Sequence, residues 1–416
     1  MCGFVGVLSS AFLSESTLVK MTRSLAHRGP DESNIWQDHV SGISFGHQRL
    51  SILELTSAGS QPMFSANGRF ALAYNGEIYN HLACRKVLAE SGFAVSWKGS
   101  SDTETLIEMI SALGLEKTLK LTTGMFSLAL WDKVEKKLFL ARDRFGEKPL
   151  YYGWQGESFL FGSELKALRI HPHFLHEIDS NALGLFLQYN YVPTPLSIYK
   201  GISKLTPGSI LSVSLENTMV CISTYWSAID TMISGKKYPF RGSVIEAINE
   251  TINVLKGAVQ SQLLADVPLG AFLSGGIDSS LIVSLMSAVS STPVNTFTIG
   301  FDENGFNEAV FANKIANHLG TNHTELYINP KDCFDVIPLL GSMYDEPFAD
   351  SSQIPTYLVS KLAAGTIKVA LSGDGGDELF GGYNRYFFAE KLWNYLRFIP
   401  KPLRSGLYST INKLNT

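Results

Sequence analysis

No stretch of the 416 residues reaches the ~18 uninterrupted apolar residues that a membrane-spanning helix needs. The N-terminus, Met1-Cys2-Gly3-Phe4, lacks the basic region that opens a signal peptide, so a cytoplasmic protein with no membrane partner is expected. Cysteine is scarce. The four, at positions 2, 84, 221 and 333, show no Cys-x-x-Cys spacing, which argues against zinc sites and against a disulfide framework. A basic block is also missing: Lys plus Arg number 34 against 38 Asp plus Glu, a formal net charge of −4, which leaves no footprint for nucleic acid. What the chain does have is length and apolar content. At 416 residues with 45% hydrophobic residues, two or three domains can each bury a core.

The most informative stretch is Leu273-Ser274-Gly275-Gly276-Ile277-Asp278-Ser279-Ser280. It follows the apolar run Val267 to Leu273 and opens onto a helical pattern from Ser279, so it reads as strand, small-residue loop and helix N-terminus. Adjacent glycines allow close backbone approach to a phosphate, while serine hydroxyls and the first helical N–H groups offer donors to its oxygens. No lysine follows the glycines, so this is not the loop that holds a triphosphate for γ-transfer. Ser-Gly-Gly-x-Asp-Ser resembles the pyrophosphate-binding loop of ATP pyrophosphatase domains, which cleave ATP between its α and β phosphates and adenylate a substrate oxygen.

The first half carries a different chemistry. Removal of Met1, which precedes a small residue, would leave Cys2 with a free α-amine, placing a nucleophile and a base on one residue. The competing reading is a buried apolar cysteine in a strand from Cys2 to Leu8. Phe45 to Ile52 alternates like a half-buried strand and contains Arg49. A further strand, Phe70 to Tyr74, runs into Asn75-Gly76-Glu77-Ile78-Tyr79-Asn80, which reads as a tight turn. Asn75 and Gly76 are either a hairpin turn or donors to an oxyanion, each donor then contributing about 2.7 to 4 kcal/mol. Asp102, ahead of an amphipathic helix over Leu106 to Leu113, is either a helix N-cap or a ligand.

Together, Met1-Cys2-Gly3, His27-Arg28-Gly29-Pro30-Asp31, Arg49-Leu50-Ser51-Ile52, Asn75 to Asn80, Ser101-Asp102-Thr103-Glu104 and Arg142-Asp143-Arg144-Phe145-Gly146 resemble the glutaminase domain of class II glutamine amidotransferases. The resemblance implies an αββα N-terminal-nucleophile sandwich, with Cys2 as nucleophile and the Asn75 amide and Gly76 N–H as oxyanion hole. It implies glutamine held by Arg49, Asn75, Gly76, Glu77 and Asp102. A guanidinium suits the α-carboxylate and carboxylates suit the α-ammonium. His27 is expected to be structural.

The domain boundaries are expected at 2–215 for the glutaminase domain, 216–243 for a linker and 244–416 for the second domain. In that second domain strand-like and helical segments alternate, which predicts a doubly wound parallel sheet, an α/β domain after the α+β sandwich. Ligands in such sheets sit beyond the carboxyl ends of the strands. There the first loop should meet a second, Ser372-Gly373-Asp374-Gly375-Gly376-Asp377-Glu378, and Asp278 and Asp377 form the expected Mg²⁺ ligand pair beside ATP.

The two loops, with Leu379-Phe380-Gly381-Gly382-Tyr383, resemble the synthetase domain of glutamine-hydrolysing asparagine synthetases. That implies aspartate activated as β-aspartyl-AMP, nucleotide contacts from Leu273, Ser274, Gly275, Gly276, Asp278, Ser279, Ile299, Ser372 and Gly373, and a role for Asp374 in adenylate formation. Members of the family continue beyond the point corresponding to Thr416, so the chain reads as C-terminally incomplete. Another carboxylate acceptor, such as a sugar acid of a surface polysaccharide, and a non-synthetic glutaminase or regulator are the alternatives. A homodimer is the expected assembly.

Overall fold

In a computed structural model, residues 1–301 and 307–414 are described. The contacts divide the chain into two compact units. Met1–Leu269 joins with Ile328–Val369, and Gly270–Tyr327 with Ala370–Thr416.

The first unit is built on twelve strands: β1 (Gly3–Ser9), β2 (Glu32–Asp38), β3 (Ile43–Arg49), β4 (Met63–Phe64), β5 (Phe70–Ile78), β6 (Gly124–Asp132), β7 (Lys137–Arg142), β8 (Tyr151–Gln155), β9 (Ser158–Gly162), β10 (Ser203–Lys204), β11 (Ser209–Val213) and β12 (Cys221–Thr224). They form two six-stranded sheets, ordered β10-β8-β9-β1-β3-β2 and β12-β11-β7-β6-β5-β4. Period-two alternation decides which side chains meet between them. Phe4, Leu8, Phe45, Ala71, Ala73, Ala129, Trp131, Phe159 and Phe161 fill the layer between the sheets. The opposite faces of β1 and β9 send Val5, Val7 and Leu160 against the helix Glu15–Arg23 through Leu18 and Met21. Leu72, Tyr74, Leu128 and Leu130 meet Leu106, Ile107 and Ile110 of the helix Asp102–Leu113. Helix, sheet, sheet and helix therefore stack with three apolar layers between them, the expected αββα sandwich.

One local expectation is corrected, and one of two open alternatives is removed. The stretch after Tyr74 is not a turn: β5 continues to Ile78, paired with β6 in unbroken register from Phe70↔Asp132 to Ile78↔Gly124. Gly76 fits there because the strands close on it; a Cβ would lie 2.6 Å from that of Phe126. Asp102 is not the N-cap of its helix. Ser101 fills that position, its hydroxyl accepting from Thr103 N–H and Glu104 N–H, which frees the Asp102 carboxylate.

The region 216–243 supplies edge strand β12 and an exposed helix, Ala228–Lys237. Residues 328–369 are tied to the sandwich through Asp345, whose carboxylate lies 3.4 Å from Lys166 Nζ, and Glu346, which pairs with Lys204 and accepts from Tyr151 Oη.

The second unit carries a four-stranded sheet of β13 (Leu269–Phe272), β14 (Asn295–Phe301), β15 (Asn322–Ile328) and β16 (Val369–Leu371), in the order β15-β14-β13-β16. β13 and β14 pair in parallel. Helices Ile277–Val289 and Ala309–Leu319 connect the first three strands. Order reverses between β13 and β16, so the carboxyl ends of those two strands flank the switch point where such sheets receive ligands.

Candidate active site

The apolar layer between the sandwich sheets turns polar at one end. Along β3 the positions that alternate with Ile43 and Phe45 are His47 and Arg49; along β5 those that follow Ala71 and Ala73 are Asn75 and Glu77. Cys2 stands immediately before β1. One pocket is lined by Cys2, Arg49, Gly76, Glu77 and Asp102, joined by Leu50 and Tyr74.

The Cys2 thiol donates to the Leu50 carbonyl at 3.6 Å and accepts from Leu50 N–H at 3.4 Å. Burial pushes the thiol's pKa up, with the Leu50 N–H opposing it. A buried thiol of that kind needs a base to become a nucleophile. Burial brings the N-terminal amine, on Met1, down to about 6. Burial there favours the neutral form of an amine, which can take a proton.

Behind Cys2, Arg28 Nε donates to the Cys2 carbonyl at 2.9 Å and Nη1 pairs with Glu164 at 2.7 Å. Although burial works against it, His27 and Arg28 hold the Glu164 carboxyl down at about 2. His27 is thus part of the scaffold, 3.0 Å from Glu164.

Asn75 is 1% exposed, and its Nδ2 is buried without a hydrogen-bond partner. An unpaired amide donor costs about 1–3 kcal/mol in a folded protein, so this one is available to an acceptor. The two carboxylates answer with the opposite charge preference. Asp102 accepts from Tyr74 Oη at 2.9 Å and from Ile78 N–H at 2.8 Å. Burial raises its pKa against those two bonds, and burial followed by the Asp102 charge raises Glu77 well above the carboxylate range. Two desolvated carboxyls side by side gain from a cation. The Arg49 guanidinium is 5% exposed and held by the carbonyls of Thr56 (2.9 Å), Leu53 (3.5 Å) and Glu54, with Glu32 at 3.3 Å.

In the second unit the first loop folds on itself. Gly275 has φ +82°, and the Ser274 and Ser279 hydroxyls lie 3.0 Å apart. The helix begins at Ile277, two residues before the expected Ser279, because Gly276 is extended at φ −71° and ψ 167° and acts as its N-cap. Asp278 and Ser279 therefore sit in its first turn. The second loop closes on that turn: a Cβ on Gly373 would lie 2.6 Å from Ser279 N, and one on Gly376 would lie 2.6 Å from Asp278 Oδ2. Asp377 is the next residue, in the helix Gly376–Phe380. Ser372 Oγ donates to Asp374 at 3.0 Å. Leu273, Ile299 and Ser372 lie at the carboxyl ends of β13, β14 and β16.

The family described as glutamine amidotransferase domain matches residues 1–226, and that described as asparagine synthase matches residues 250–415. Putative asparagine synthetase [glutamine-hydrolyzing] 2 of Methanocaldococcus jannaschii is 33% identical over 97% of this chain and 79% of its own length. The chain belongs to the glutamine-hydrolysing asparagine synthetase family. Asparagine synthetase [glutamine-hydrolyzing] 1 of Bacillus subtilis is 36% identical over 93% of this chain, and asparagine synthetase B of Escherichia coli 31% identical over 92%. The chain spans 59% of the length of the first of these and 65% of the second.

Within this asparagine synthetase family member, sequence reasoning missed Leu50, Tyr74, Glu164 and His47 as parts of the site. Tyr74 and His47 had one available signal, a polar atom at an inward position of a strand. His47 Nε2 donates to the Tyr74 carbonyl at 2.9 Å, and burial lowers its pKa from 6.5 to about 4. The folded state then binds fewer protons than the unfolded state between those values, so stability falls as pH drops from 6.5 to 4, by up to about 3 kcal/mol. Urea unfolding of His47→Gln against the parent at pH 7 and pH 4.5 checks this: the variant should show the flatter pH dependence.

Proposed function

We propose that the chain releases ammonia from glutamine at Cys2 and uses ATP to amidate the β-carboxylate of aspartate. With Met1 removed, the Cys2 α-amine takes the thiol proton and Sγ attacks the glutamine side-chain carbonyl. Ammonia leaves, and water releases glutamate from the thioester. Asn75 Nδ2 and Gly76 N–H receive the oxyanion, Arg49 faces the α-carboxylate, and Glu77 with Asp102 takes the α-ammonium. The observation that carries this reading is the buried, unpartnered amide of Asn75, whose chain neighbours Tyr74 and Gly76 both line the Cys2 pocket. Asn75→Ala should lower kcat for glutamine hydrolysis about 10²–10³-fold with little change in KM, measured by glutamate release.

At the second site an aspartate carboxylate oxygen attacks the α-phosphorus and pyrophosphate departs. Ammonia then displaces AMP to give asparagine. The loop Ser274–Ser279 and the residues Ser372 and Gly373 would cradle the phosphates, with Leu273 and Ile299 against the nucleoside and Asp374 assisting adenylate formation. Among the described residues no three His, Cys, Asp or Glu gather as a metal cage. Carboxylates carried by both loops suit Mg²⁺, a hard cation that prefers oxygen ligands and uses one or two carboxylates beside phosphates. Asp278 and Asp377 would hold the ion, which neutralises phosphate charge.

A cytoplasmic location supplies the three substrates, and a homodimer is the expected assembly. The deciding experiment is pyrophosphate release with ATP, Mg²⁺ and glutamine, with and without aspartate. Aspartate-dependent release with asparagine formed is the expected result. Glutamate formation with no aspartate dependence would overturn the acceptor assignment.

A further inference from the structure

The loop after β3 supplies Leu50, Ile52 and Leu53 to the Cys2 pocket, and one of its residues has an uncommon backbone. Glu54 sits at φ +57°, in the left-handed region that side chains other than Gly, Asn and Asp seldom occupy. Such a conformation persists only where the surroundings over-determine it. Here they do, on four sides.

The Glu54 carbonyl accepts from the Arg49 guanidinium, and its N–H donates to Asp266 Oδ2 at 2.8 Å. Oε1 accepts from the Thr56 N–H at 3.2 Å and from the Thr56 hydroxyl. Oε2 accepts from the Ser100 N–H at 2.8 Å and its hydroxyl at 3.1 Å. Ser100 is the neighbour of Ser101, the cap of the helix that begins with Asp102. Gly99 leaves room for this, since a Cβ there would come 2.5 Å from Oε2. Asp266 completes the clasp by donating its own N–H to the Ile52 carbonyl at 2.9 Å.

We propose that Glu54 is a positioning residue that locks Arg49 and the start of the Asp102 helix into one frame, with Asp266 anchoring its backbone. This rests on the glutamine reading above. The frame sets the separation between the cation that faces the α-carboxylate and the carboxylates that face the α-ammonium, so it governs how well the two ends of an α-amino acid fit at once. The Thr56 and Ser100 donors bring the Glu54 carboxyl down to about 2, so the charged form holds the frame at any working pH.

Three variants test it: Glu54→Gln, which keeps the shape but cannot accept on both sides; Glu54→Gly, which takes φ +57° without strain and loses the carboxylate; and Asp266→Ala, which loses the anchor. Each should raise the KM for glutamine about tenfold with kcat within about twofold, the size expected for loss of a charge-assisted contact. The rate of Cys2 alkylation by iodoacetamide should match the parent, showing that the nucleophile is undisturbed. A lowered melting temperature with KM within about twofold of the parent in both Glu54 variants would overturn the inference, leaving Glu54 a loop stabiliser. Absence of glutamine hydrolysis in the parent would overturn the glutamine reading itself, a separate outcome.

Discussion

Cys2→Ala should lower glutamine hydrolysis by at least about 10⁴-fold, while pyrophosphate release with ammonium salts in place of glutamine should continue. The size follows from the absence of a substitute. The two other cysteines with exposure, Cys221 and Cys333, lie in β12 and in the helix Pro330–Met343. Removal of Sγ costs the packing around it little, since its two polar contacts are long ones to Leu50. The proposed oxyanion donors and the proposed clamp for the α-amino acid are untouched, so glutamine should still bind. Glutamate release and pyrophosphate release, assayed on one preparation, check both halves. Retained hydrolysis would remove Cys2 from the nucleophile role, and simultaneous loss of both activities would indicate a folding defect.

Asp278→Asn should produce the mirror image: ATP-dependent pyrophosphate release is expected to fall by at least about 10–100-fold, the loss that even an indirect metal partner brings, with glutamine hydrolysis kept. The substitution is close in shape, so the packing of Gly376 against the side chain survives while the charge is removed. Raising the Mg²⁺ concentration should recover part of the activity in the variant if the carboxylate acts through the ion. Unchanged Mg²⁺ dependence would move the role of Asp278 to the helix N-terminus, where a carboxylate also favours the positive end of the dipole.

Much of this was legible in the chain. Alternation along β1, β3 and β5 and the apolar segments around them specify strands, and the two-fold period sends Cys2's neighbours, Arg49, Asn75 and Glu77 toward a common layer. Glycines at 275 and 373 mark loops at strand ends, where a Cβ would come within 3.0 Å of the facing backbone of Ala312 and Ser279. Other features were not legible. Asn75-Gly76 is the preferred dipeptide of a hairpin, and local preference points to a turn there; pairing with all of β6 overrides it. Asp102 looks like a cap from its place before a helix, yet Ser101 takes that role and releases Asp102 to Tyr74 and Ile78.

By itself the sequence determined the strand and helix periods and the identity of the charged groups, and pointed to the two proposed chemistries, because these follow from residue type and spacing over a few positions. Only the tertiary structure decided which polar groups are satisfied. The unpartnered Asn75 amide, the raised Glu77 and Asp102 carboxyls and the Glu54 clasp depend on packing between segments far apart in the chain, the Asp102 bond to Ile78 spanning 24 positions and the Glu54 bond to Asp266 spanning 212, and burial, which gives those contacts their weight, exists only once the sheets have packed.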